Sequence, residues 1–212
     1  MVQDGLRGRQ KHRLKKTTIA DGEQTPPITD LLKRSFAPAS HTPNEAWVGD
    51  ITYIRTWEGW AYLATVIDLA SRRVVGFSIA DHMRTSLIEE AMVMAFKARR
   101  PAPGLIFHSD RGSQYTSSAF RTLLSKHEVR QSLSRPRQCW DNAVAESFFA
   151  TLKIELIYRV PWETVSAART AVFEYIEVFY NRRRLHSALG YQSPAAYEAS
   201  VRLSPPTAAA VA

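Results

Sequence analysis

Apolar positions along this chain change their period several times, and each change marks an element. Over residues 47–54 apolar side chains fall on both alternating positions, the pattern of a central strand covered on both faces. Glu58-Gly59 is a turn signal, residues 61–67 give a second strand, Asp68 to Arg72 turns the chain, and residues 73–79 give a third strand. Such short connections predict an antiparallel meander. The period then lengthens. Leu87, Ile88, Ala91, Met92 and Ala95 form a helical stripe, with Ser86 and Glu89 at capping-box spacing and Pro101 and Pro103 as the stop. Leu105, Ile106 and Phe107 make a short strand leading to Asp110. A helix with Phe120, Leu123 and Leu124 on one face follows, then a fifth strand over residues 130–133 and a basic loop over 134–140 containing Pro136. Asp141 is placed to cap a helix reaching about Tyr158, striped by Ala145, Phe148, Phe149, Leu152 and Leu156. Pro161 ends it. Thr164 is placed to cap a last long helix striped by Val165, Ala168, Val172, Tyr175, Ile176 and Phe179. Upstream, residues 29–36 read as a short helix capped by Thr29.

Three antiparallel strands, then helix, strand, helix, strand, helix, predict an α/β fold. That order is the one seen in ribonuclease-H-like folds: a mixed five-stranded sheet flanked by helices. No internal repeat is visible. The expected organisation is a basic arm over residues 1–40, a core with its C-terminal helix over 41–200, and a disordered tail over 201–212. The arm sets Arg7, Arg9, Lys11, Arg13, Lys15 and Lys16 against the single acid Asp4 before residue 17. Such a segment either grips phosphates or is a solvated tail.

Charge narrows the partners. The 212-residue chain carries a formal net charge of +8 and an isoelectric point near 9.8, so an acidic partner is expected: DNA, RNA or a membrane surface. No apolar run approaches the length of a membrane span, and the N-terminus lacks the apolar stretch of a secretory signal. One cysteine, Cys139, allows no internal disulfide and fits a reducing, cytoplasmic location. It reads as a small loop residue.

Three acids carry the candidate chemistry. Asp50 lies mid-strand, where an unpaired carboxylate is costly; it is either a hydrogen-bonded structural group or a ligand. Asp110 follows a buried strand, where open α/β sheets place ligands, although Asp-Arg-Gly is also good turn chemistry. Glu146 lies at the edge of a helical apolar stripe, with Asn142 one turn earlier and Lys153 seven positions on along nearly the same line; a solvent-facing glutamate is the plain alternative. There are 35 residues between Asp110 and Glu146. Carboxylates brought together in this way can hold two hard divalent cations, and two such cations can clamp an in-line attack on a phosphodiester. His108 reads as a satisfied strand-end histidine or a ligand-orienting group. Arg130, Arg135 and Arg137 flank the loop before the glutamate helix, where they would meet phosphates. Trp140 reads as a core anchor or a base-stacking ring, and Gln114 and Tyr115 as turn packing or substrate positioning. Arg182, Arg183, Arg184 and His186 end the long helix, where positive charge suits the helix dipole with or without DNA.

The words around these acids resemble a known family. Trp47-Val48-Gly49-Asp50-Ile51-Thr52-Tyr53-Ile54, His108-Ser109-Asp110-Arg111-Gly112-Ser113-Gln114-Tyr115 and Asp141-Asn142-Ala143-Val144-Ala145-Glu146-Ser147-Phe148-Phe149 resemble the integrase-type core of bacterial insertion-sequence transposases, the group whose second reading frame encodes the catalytic part. Asp68-Leu69 with Ser71-Arg72, Val74-Val75-Gly76, and Tyr180-Asn181 through Tyr191 with Ser193-Pro194 resemble it too. Retroviral integrases are more distant relatives in the same fold. The resemblance implies a polynucleotidyl transferase in which Asp50, Asp110 and Glu146 bind two Mg²⁺ or Mn²⁺ ions and catalyse strand cleavage and strand transfer through a circular intermediate. It implies Lys153 as a DNA contact; Asn142, Arg135, Arg137, Arg182, Arg183 and Arg184 are further candidates on their own position and chemistry. The implied partners are DNA (element ends and target), further copies of the chain on that DNA, and the product of an overlapping upstream frame, with no membrane. The first residues resemble the last part of an upstream helix-turn-helix region, which relatives use to recognise their ends. Two rivals stand beside this reading: a purely hydrolytic nuclease of the same fold, and a truncated, non-catalytic DNA-binding relic or inhibitor.

Overall fold

The computed structural model describes residues 28–135 and 142–203. The predicted meander forms as β1 (Ala46–Thr56), β2 (Gly59–Asp68) and β3 (Val74–Ala80), antiparallel throughout. β4 (Ile106–Ser109) then pairs parallel to β1, and β5 (Arg130–Leu133) parallel to β4, giving the order β3-β2-β1-β4-β5. Because β1 is central, consecutive residues go to opposite layers. Val48 and Ile54 join Leu63 and Ile67 under α4 (Ala143–Leu152) and α5 (Val165–Glu174), while Trp47 packs with Ala64 and Val66 under α1 (Thr85–Arg99) and α3 (Ser118–Lys126). A short α2 (Ser113–Thr116) precedes α3. Gly76 lets β3 approach α1: a side chain there would run into the carbonyl of Ala91.

The turn between β2 and β3 is built on Asp68. Its buried carboxylate accepts from the backbone N–H of Asn44 (2.6 Å), the Trp47 indole (3.2 Å) and both the N–H and hydroxyl of Ser71 (2.8 and 2.9 Å). Asn181 clips the same region by exchanging hydrogen bonds with the backbone N–H and C=O of Val74.

Several expectations need correction. Residues 29–36 are not a helix: Asp30 accepts from the N–H groups of Leu32 and Lys33, and Lys33 and Arg34 take positive φ, which ends any helical run. α1 starts before the expected capping box, so Ser86 lies inside it, and its N-cap, Arg84, makes no side-chain bond. Thr164 does cap α5, accepting from the N–H of Ala167 at 3.0 Å. α4 and α5 both run on into π-helical turns, Lys153–Ile157 and Tyr175–Tyr180. The wider turn moves the core-facing position on by one residue. Ile157 is buried where Leu156 was expected, and Tyr180 where Phe179 was expected. A sixth helix, α6 (Pro194–Leu203), was not anticipated and runs past residue 200. It is anchored by buried Glu198, whose carboxylate meets Arg99 (2.6 Å) and Arg73 (3.0 Å).

No helix among the described residues is long and apolar enough to cross a membrane. The expected basic arm up to residue 27, the tail from residue 204, and Pro136, Arg137, Cys139, Trp140 and Asp141 lie outside the described residues.

Candidate active site

Strand pairing puts the segments that carry the first two acids side by side. β1 and β4 pair as Ala46 with Ile106, Trp47 with Phe107 and Val48 with His108, and the ladder stops there. Asp50 lies two residues beyond Val48 within β1, and Asp110 lies two residues beyond His108, just past the carboxyl end of β4, where α/β sheets open a crevice. β1 itself continues, held by β2, with Asp50 opposite Thr65. Gly49 precedes it because a side chain at that position would collide with the Phe107 ring.

Asp50 is partly buried, and one of its oxygens accepts from the N–H of Ile51 at 2.8 Å. Burial pushes its carboxyl up to about 7; the negative charges of Asp110 and Glu146 push the same way, against the Ile51 hydrogen bond and Lys153. Asp110 is exposed and accepts from the N–H of Gly112 at 2.9 Å. Tyr115 lies behind both aspartates; burial, then their charges, hold its phenol well above the ordinary value. Glu146 stands exposed in the first turn of α4. Asp50, Thr52, Tyr53, Glu146, Phe149 and Lys153 line one groove of about 540 Å³. Asn142 fixes the start of α4 beside it. Its amide donates to the carbonyl of Gly49 (3.4 Å), and its buried side-chain oxygen has no partner among the described residues.

The three acids thus share one electrostatic neighbourhood. Among the described residues, no three His, Cys, Asp or Glu side chains stand close enough to hold a metal ion jointly. The donor set is nevertheless suited to a hard cation. Its candidate donors are all oxygens, Asp50 feels two further negative charges, and Asp110 and Glu146 are exposed rather than locked by packing.

The basic candidates separate. Lys153 lines the acid groove, its ammonium 5.1 Å from the Tyr53 ring centroid. Exposed Arg135 lies in a different groove with Lys33, Arg34 and Arg111. Those three were not singled out from sequence, although Arg111 directly follows Asp110. Arg184 is held by Glu155 (2.9 Å), which also accepts from the Tyr175 hydroxyl, and it lines a third groove with Arg72 and His186 on the other flank of α4. Arg182 and Arg183 are exposed and line none of these grooves. His108 is structural: its ring nitrogens lie 2.7 Å from the Ser132 hydroxyl and 3.3 Å from that of Ser134, joining β4 to the β5 region. Gln114 donates to the carbonyl of Met83, and Tyr115 packs against Phe107 and Phe120.

Comparison with known proteins bears on the family and the fold. Two family models, each described as an integrase core domain, match residues 40–139 and 127–194. The chain is 41% identical over 192 residues to the 31 kDa protein of insertion element IS600 from Shigella sonnei, covering 91% of this chain and 70% of that one. It is 46% identical over 169 residues to the transposase of insertion sequence element IS904 from Lactococcus lactis, covering 80% and 66%. The chain therefore spans about two thirds of the length of these relatives. Among solved structures, the catalytic core of HTLV-2 integrase in complex with magnesium superposes with a TM-score of 0.57 at 16% identity, covering 74% of this chain and 97% of that one. That likeness carries the fold, a ribonuclease-H-like mixed sheet flanked by helices.

Proposed function

The chain belongs to the integrase-core family of insertion-sequence transposases, and on that premise we propose that it cuts DNA strands and joins them to new phosphodiesters during transposition. The reading is supported by the placement of Asp50 and Asp110 just beyond the end of the β1–β4 ladder, by Glu146 lining one groove with Asp50, and by the charges of Asp110 and Glu146, which both raise the Asp50 carboxyl. Asp50, Asp110 and Glu146 would hold Mg²⁺ or Mn²⁺, two ions per site. Such ions, when bound, supply Lewis-acid stabilisation of the attacking and leaving oxygens of an in-line displacement.

The chain's own groups do the rest. Asp50 gives the site a fixed anchor, since β1 is paired on both sides up to Val48 and continues along β2. Asn142 ties the glutamate helix to the backbone at Gly49, so Glu146 and Asp50 are set by one contact. Lys153 places an ammonium in the same groove, where it meets a phosphate. Arg135, beside Arg111, extends that grip along the strand. Arg182, Arg183 and Arg184, and Arg137 outside the described residues, are proposed as more distant phosphate contacts. Two element ends and a target must be held at once, which calls for several copies of the chain on DNA. Recognition of the ends is assigned to residues N-terminal to the core and to the product of an upstream frame. The proposed location is the cytoplasm.

The test is incubation of element-end oligonucleotides with the protein and Mg²⁺ or Mn²⁺. Joined as well as cut products are expected, and both should vanish in Asp50→Asn and Asp110→Asn. Cuts without joining would indicate a hydrolytic nuclease instead. Activity surviving both substitutions would remove the acids from the mechanism.

A further inference from the structure

Large aromatic side chains normally go inside or find a partner. Here several stand in solvent, two of them in the acid groove. Tyr53 is 57% exposed, Trp60 43%, Trp57 71% and Tyr158 73%. Tyr53 and Tyr158 line the groove itself, together with Asp50, Glu146 and Lys153. The β1–β2 register sets Tyr53 opposite Tyr62 and Arg55 opposite Trp60, which makes Trp60 the diagonal neighbour of Tyr53. Their rings meet edge to face, centroids 5.1 Å apart. Each ring also carries a cation: the Lys153 ammonium at 5.1 Å from Tyr53, and the Arg55 guanidinium at 5.2 Å from Trp60.

A patch of exposed aromatic surface marks a binding face. A protein seated on this one would cover the groove that Asp50 and Glu146 line. A nucleotide answers both halves of its chemistry, with a flat base for the rings and a phosphate for the cations. It is also what the proposed reaction must bring there. A phosphodiester drawn towards Asp50 takes its nucleotide out of the duplex stack, and a neighbouring ring offsets the lost stacking.

We propose that Tyr53 and Trp60, with Lys153 and Arg55 on their rings, form a stacking platform for an unpaired base of the DNA strand whose phosphodiester enters the acid groove. The inference rests on reading that groove as a DNA-processing site. It gives the site a preference for frayed or unpaired ends over fully paired duplex, with little dependence on base identity.

The test uses the full chain carrying Asp50→Asn, so that binding is read without cleavage. Fluorescence anisotropy compares a duplex with a short unpaired end against a blunt duplex of the same length. The frayed DNA should bind more tightly. Tyr53→Ala combined with Trp60→Ala should weaken frayed binding by about tenfold to a hundredfold and blunt binding much less, whereas Tyr53→Phe with Trp60→Phe should retain the preference. Retained blunt-duplex binding and an unchanged circular dichroism spectrum show that the alanine variant is folded. If DNA binds with no preference for the frayed end, or the alanine pair weakens both forms equally, the platform is overturned while the DNA-processing reading stands. Should neither DNA bind, both readings fall. If the alanine pair instead dissolves an oligomer in sedimentation without changing frayed binding, the face is a contact between copies, and the platform is again overturned.

Discussion

Two aspartates in apolar strands, Asp50 and Asp68, have opposite surroundings. Asp68 is fully buried, and its oxygens accept from Asn44, Trp47 and twice from Ser71. Burial raises its carboxyl, and these bonds and the charge of Arg99 pull it back. Asp50 accepts one hydrogen bond, from Ile51, among the described residues, and it feels the negative charges of two more carboxylates, Asp110 and Glu146. A buried carboxylate whose lone pairs are filled by the protein is holding structure together. One left with open lone pairs beside like charges is destabilised until something positive arrives. The first is a fastening for the β2–β3 turn; the second is the carboxylate proposed above as a cation ligand.

Substitution separates the two most sharply. Asp50→Asn should lower cleavage and joining by about a thousandfold, the scale of losing a group that acts on the transition state, with thermal stability unchanged or higher because a repelled charge is gone. Asp68→Asn should do the reverse. Its new amide would face donors from Asn44, Trp47 or Ser71, costing about 3 kcal/mol and lowering the unfolding midpoint by roughly 10 °C, while activity per folded molecule persists. Calorimetry with an oligonucleotide assay on the same samples reads both, and exchanged outcomes would break the contrast.

Glu198 is a second filled carboxylate and sharpens the comparison by pH. Burial opposes its ionisation, but hydrogen bonds and charge from Arg99, with Ser71 and Arg73, outweigh that and hold it below the ordinary carboxyl range. A carboxyl lowered in the folded state contributes stability above its unfolded pKa, near 4.5, and loses it as pH falls through the folded value. The urea midpoint should therefore drop more steeply below pH 5 in the wild-type chain than in Glu198→Gln, which should itself cost about 2 kcal/mol at neutral pH. Mg²⁺ or Mn²⁺ should raise the melting temperature of the wild-type chain and not that of Asp50→Asn. The smallest effect is expected at Glu155, whose pair with Arg184 is partly exposed: Glu155→Gln should change stability by less than about 1 kcal/mol.

Much of the fold is legible in the chain. Alternation over β1, the turn signals and the stripe of α1 are local, and the strands and most helices form where those patterns put them. The misses have a common origin. The buried position moves from Leu156 to Ile157 and from Phe179 to Tyr180 because each helix widens into a π turn, which a regular helical period does not encode. α6 depends on bonds between Glu198 and arginines 99 and 125 residues away, and so has little local signal.

The same division runs through the candidate site. Sequence alone nominated the three acids as candidates, through their strand, strand-end and helix contexts and through the family resemblance of the words around them. Only the tertiary structure decided that β1 and β4 run side by side up to Val48 and His108, just short of Asp50 and Asp110, that Lys153 joins the acid groove while Arg184 is taken by Glu155, and that Tyr53 in that groove and its neighbour Trp60 stand exposed. Spacing along a chain is a one-dimensional property. Whether a charge is filled, shared or left open depends on what distant segments bring within a few ångströms of it.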